Sequence, residues 1–220
     1  MLERISRREE FDLFVAWIAI SLAFTIIFIT PAGLFSGGVT VDPVVALIFF
    51  GISLITVGIG FILHEMGHKF LAMRYGFWAE FRKDNVMLLI AVVLAALVGF
   101  VFAAPGATII YSNTSDGRSI SREQNGKISA IGPVINLLLC IPFALLLLFS
   151  SGATTSTYNI IRIVGTIGLQ VNAMIAAFNM LPVSVLDGKK VLAWNVGAFA
   201  VLIVAAFGVL LGSFYLVGFI

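Results

Sequence analysis

Residues 44–68 read VVALIFFGISLITVGIGFILHEMGH, and this stretch decides the architecture. The first 20 residues, 44–63, carry no charged side chain. A helix of about 20 such residues crosses a hydrocarbon layer about 30 Å thick. The run then ends abruptly on His64, Glu65 and His68. Two imidazoles and a carboxylate at the end of a lipid-compatible helix cost several kcal/mol if idle, so ionisable groups in such a place default to a functional role.

The rest of the chain has the same character. Of 220 residues, 60% are hydrophobic and 11% charged, with a mean hydropathy of +1.12. Soluble domains carry about 25% charge. So few charges cannot cover a water-facing surface, which excludes a soluble enzyme and a disordered chain. A net charge of +2 without a basic stripe excludes a nucleic-acid partner. Five more apolar segments, 11–31, 86–104, 128–150, 159–181 and 191–216, bring the total to about six. The expected fold is an all-α polytopic membrane protein, with 1–220 as a single membrane-embedded domain and no PDZ or CBS module. The first segment exceeds a signal-peptide core and lacks a small-residue cleavage site, so it reads as a retained helix. The single Cys140 permits neither an internal disulfide nor a thiolate metal cage.

Two connectors break the helical pattern. Gly76–Lys83 alternates aromatic and polar residues, and Ala107–Ser112 is β-branched and aromatic; both read as short strands of a small membrane-associated β element. Ser115–Gly117 (SDG) reads as a turn. If 86–104 enters and leaves on one side, 12 of the 13 basic residues share a membrane face, Arg162 excepted. Excess Lys and Arg mark the cytoplasmic side. A cytoplasmic N-terminus and a re-entrant or interfacial 86–104 are therefore expected, although its length would also allow a full span.

His64 and His68 are the only histidines, four apart with a glutamate after the first. On a helix this spacing puts both imidazoles on one face, where they can share a metal ion, while Glu65 can reach a water bound to it. The pattern is the H-E-x-x-H signature of zinc hydrolases. The bland alternative is a pair of interfacial histidines bonded to headgroups or backbone. Catalytic zinc takes three protein ligands and keeps one position open. No third His or usable Cys exists, and nine of the 11 acidic residues lie in polar connectors or near the chain start. Asp187, at the foot of an apolar helix in NMLPVSVLDGKK, is the remaining candidate besides Glu65; it also reads as an ordinary Asp-Gly helix end.

Together, His64-Glu65-Met66-Gly67-His68, Gly132-Pro133-Val134-Ile135-Asn136 and Asn179-x-x-Pro182-x-x-x-x-Asp187-Gly188 resemble the site-2 protease family, the intramembrane zinc metalloproteases of peptidase family M50. The three motifs occur in the family's order across 64–188. FAAPGATII, before the third apolar block's successor helix, is also similar to archaeal and bacterial members. The resemblance implies a three-helix catalytic core, here 44–68, 128–150 and 159–188. It implies one zinc ion per chain held by His64, His68 and Asp187, with Glu65 as general base and Asn179 as oxyanion stabiliser. Asn136 and Asn172 would pack helices or cap backbone near the site. Two departures stand out: Val185 replaces a common Pro, and Lys189 a common Gly. The implied activity is hydrolysis of peptide bonds within or near transmembrane segments, with a membrane-protein substrate and the lipid bilayer as partners. A zinc-binding membrane transporter or an inactive family member is the alternative. A transporter needs ionisable groups along a path across the bilayer, whereas here they lie at one depth.

Overall fold

The computed structural model describes residues 5–31, 33, 41–101, 106–111, 119–150 and 156–218. Among these, the chain forms helix α1 (Arg7–Ile29), α2 (Pro43–Arg74), strand β1 (Trp78–Lys83), α3 (Asn85–Val98), β2 (Gly106–Tyr111), α4 (Arg122–Phe149), α5 (Ser156–Asn179), α6 (Asp187–Trp194) and α7 (Val196–Val217). The protein is mostly helical, with one two-stranded sheet, β1 beside β2. Five described helices are long and apolar enough to cross a membrane: α1, α2, α4, Asn159–Asn179 within α5, and α7. This is a polytopic membrane protein.

The third apolar block is not a sixth span. Its helix α3 has 14 residues, and at about 1.5 Å per residue falls well short of the hydrocarbon thickness. Asp84 starts it by accepting hydrogen bonds from the amides of Val86 and Met87, at 2.9 and 3.0 Å. Gly99 ends it in the left-handed conformation. The chain then returns, because Gly106 at the start of β2 lies against the backbone of Arg82 and Lys83 at the end of β1. The expected turn at Ser115–Gly117 lies outside the described residues.

The chain divides into two compact units. The first comprises residues 1–62 and 79–109. In it α1 packs on α3. The Trp17 indole donates to the Leu54 carbonyl (2.8 Å), tying α1 to α2. The fully buried Glu9 accepts a hydrogen bond from the Phe81 amide (3.0 Å), and Arg82 pairs with Asp12 (3.6 Å) and Glu80. A charged helix start is thus folded onto β1, which explains why α1 begins at Arg7, before the apolar run at Phe11. Ser6 caps it by accepting from the Glu9 amide.

The second unit comprises residues 63–78 and 110–220. Asn179 closes α5 where the sequence suggested a helix continuing to 188. Pro182 has no amide hydrogen to bond back to Phe178 and disfavours helix at Leu181. Ser184 then takes a left-handed φ of 51°, and a new helix, α6, opens at Asp187. The block expected over 191–216 is likewise interrupted at Asn195, which is extended (φ −151°, ψ 114°) and caps α7 through its side chain. Cys140, Phe143 and Leu147 of α4 pack with Leu169 and Ala173 of α5. Ala176, Ala177 and Met180 meet Val191 of α6 and Ala206 of α7. These contacts hold α6, and with it Asp187, against α4 and α5.

Candidate metal centre

All the chemistry-bearing residues singled out above belong to the second unit. His64, Glu65 and His68 sit in its part of α2, exposed 2, 8 and 6%, and Asp187 is the first residue of α6, exposed 7%. The imidazole Nε2 atoms of His64 and His68 lie 3.3 and 3.1 Å from the same carboxylate oxygen, Oδ2 of Asp187. One ligand atom from each of the three residues lies within 4.8 Å of the others. The other oxygen, Oδ1, faces the ammonium of Lys190 at 3.9 Å. Burial by itself raises the Asp187 carboxyl; while both rings are protonated, the facing His68 and hydrogen bonds from both imidazoles outweigh it and hold the group well below the usual carboxylate range, and metal binding would replace those N–H donors with lone pairs.

Helix α4 orients both rings. His68 Nδ1 donates to the Ile128 carbonyl at 2.6 Å, and His64 Nδ1 meets Asn136 Oδ1 at 2.6 Å. The later histidine meets the earlier α4 residue. Between these anchors lies Gly132, and Ile128, Gly132 and Asn136 are spaced by four, one above another on a single helix face. A Cβ at Gly132 would lie 2.6 Å from Nε2 of both imidazoles. Pro133, inside α4, cannot bond back to Ser129 and interrupts the helical ladder beside the Ile128 carbonyl.

The donor set fits zinc. With both Nδ1 atoms committed to oxygen acceptors, each neutral ring carries its lone pair on Nε2, the atom turned toward Asp187. Ligand atoms about 2.0–2.1 Å from a tetrahedral zinc are about 3.3 Å apart, and the two imidazole–carboxylate separations are close to this. The space beside Nε2 exists because residue 132 has no side chain.

Asn179 is the last residue of α5, and its Nδ2 donates to the Ile175 carbonyl of its own helix (3.0 Å). Asn136 does more than pack or cap: its amide contacts a histidine of the cluster, and it donates in turn to Asn172 (3.0 Å). A fully buried asparagine in an apolar helix must find a partner, and that was its sequence signal. The Ile128 carbonyl gave none, because every residue has one. The two departures, Val185 and Lys189, are exposed.

The family described as Peptidase family M50 matches residues 52–167. A protein of Methanocaldococcus jannaschii named "Putative zinc metalloprotease MJ0611" is 36% identical over 193 residues, covering 87% of each chain. No solved structure is a significant match. The family match begins in α2 before the two histidines and runs through the whole of α4 that orients them, and the relative extends the likeness over most of the chain: the chain belongs to peptidase family M50.

Proposed function

We propose that the chain is an intramembrane zinc metalloprotease that hydrolyses peptide bonds within or near transmembrane segments of membrane proteins. The observation that carries this reading is the convergence of His64, His68 and Asp187, beside the buried Glu65, in a chain with five membrane-length helices. His64, His68 and Asp187 would hold one zinc ion per chain. When bound, zinc lowers the pKa of a water to about 7 and polarises a carbonyl oxygen.

The remaining chemistry belongs to the chain's own side chains. Glu65 takes the proton of the attacking water and passes it to the leaving amine. Its low exposure keeps that proton inside the site. Asn179 Nδ2 carries two hydrogens: one donates to the Ile175 carbonyl, and the other can be offered to developing negative charge. A substrate helix must open locally, because its carbonyls are sealed by its own hydrogen bonds. The grouping of basic residues supports a cytoplasmic N-terminus and a site that opens toward the cytoplasm.

Glu65→Gln tests the assignment. Gln cannot accept the proton, while the three ligands stay in place. Turnover of a transmembrane peptide should fall at least about 10²–10⁴-fold, with zinc content unchanged by elemental analysis. Retained proteolysis rejects the mechanism. Lost zinc would make Glu65 a ligand or structural partner instead, and zinc flux that persists in Glu65→Gln vesicles would favour the transporter reading.

A further inference from the structure

His68 is oriented directly by a backbone carbonyl, but His64 is oriented through two amides whose far end is fixed. The Gly168 carbonyl can only accept, so the Asn172 atom 2.8 Å from it is the amide nitrogen. That turns Asn172 Oδ1 toward Asn136, whose nitrogen lies 3.0 Å away and must donate. Asn136 therefore shows only its oxygen to His64 Nδ1, at 2.6 Å, and that ring nitrogen must carry the hydrogen. A neutral imidazole has one N–H, so the lone pair falls on Nε2, which faces Asp187. Both asparagines are fully buried.

We infer that Asn172 is a positioning residue for the metal centre: through Asn136, and anchored on the Gly168 carbonyl, it fixes which nitrogen of His64 is free to bind zinc. The inference rests on the metal-ligand reading proposed above. Without Asn172, the Asn136 NH2 loses the acceptor that sets its direction, and an amide turned to present NH2 to Nδ1 would leave there the lone pair that zinc needs on Nε2. An aspartate at position 136 has no wrong face toward His64, since both its oxygens accept; its second oxygen meets Asn172 Oδ1 without a hydrogen between them, so loss of Asn172 takes no support away from it. It would hold the His64 N–H whether or not Asn172 is present.

That difference supplies a test that packing alone cannot mimic. Zinc affinity is measured by chelator competition on full-length protein in detergent, for Asn172→Leu and for Asn136→Asp/Asn172→Leu against Asn136→Asp. Losing an outer partner of a ligating histidine typically weakens metal binding about 10–100-fold. Asn172→Leu should therefore weaken zinc by about tenfold or more where residue 136 is Asn, and by less than about twofold where it is Asp. Equal losses in both backgrounds would make Asn172 a packing residue, and no loss in the first would also overturn the inference. Asn172→Ala repeats the comparison if Leu at this position prevents folding. A wild-type protein that holds no zinc would sink the metal reading itself, whereas zinc-loaded wild type with equal losses sinks only the relay.

Discussion

At the scale of single residues, the centre depends as much on one absent side chain as on three present ones. Gly132 stands between the two α4 groups that hold the imidazoles, and a methyl there would lie 2.6 Å from both Nε2 atoms. The rings cannot swing away, because each Nδ1 is held at 2.6 Å. Gly132→Ala should therefore cut zinc affinity at least about tenfold, as losing a supporting partner does. Ala is favoured over Gly in a helix by about 1 kcal/mol, which offsets only part of an overpacking cost of about 1–3 kcal/mol, so the thermal midpoint of the metal-free protein should fall modestly. Chelator competition together with circular dichroism checks both halves; wild-type zinc affinity would mean that the rings have room to move. The Gly-Pro pair was legible as a motif, but its function as a gap was not. A gap is defined by what faces it, and those neighbours come from α2, more than sixty residues earlier.

At the scale of elements, the decisive event is the break between α5 and α6. One continuous helix through 188 would carry Asp187 away along the α5 axis, about 12 Å beyond Asn179 at 1.5 Å per residue. Pro182 ends that helix instead, and the turn brings Gly188 against the backbone carbonyl of Met180. Asp187, next to this contact, reaches both imidazoles. A Cβ at residue 188 collides with that carbonyl, and backbone cannot yield as a side chain can. Gly188→Ala should destabilise the protein by about 1–3 kcal/mol, as overpacking does, and weaken zinc binding as Asp187 shifts. Thermal unfolding with and without zinc would show it. Stability and zinc affinity both equal to wild type would indicate a turn looser than this one.

At the scale of the whole molecule, the question is which segments share a membrane face. The structure supports return of the third apolar block to its own side, since α3 is too short to span and β2 begins beside the end of β1. The basic residues before and after that block then lie on one side, as the charge bias asks. Single-cysteine labelling in a Cys140→Ser background provides the check. Lys83→Cys and Ser115→Cys should react with an impermeant thiol reagent from the same face. Opposite faces would refute the return and separate Gly132–Asn136 from the histidines by a membrane.

The sequence by itself determined the class of the molecule and most of its reactive side chains. Long uncharged runs fit lipid as helices, and His64 and His68 share a helix face, with Glu65 about 100° round it, by local periodicity, which needs no distant contact. Elimination made Asp187 a candidate, because few carboxylates stood outside the polar connectors, but left an ordinary Asp-Gly helix end open until the resemblance implied a ligand. What only the tertiary structure decided were matters of pairing between distant segments: that α3 stops short of a span, that α6 separates from α5, that Asn136 and the Ile128 carbonyl orient the two rings, and that Asn179 is turned to its own helix. The reason is physical. Hydropathy and periodicity act along the chain and leave a trace within a few residues. Hydrogen bonds to a backbone carbonyl, or space left by a missing side chain, depend on which helix arrives opposite.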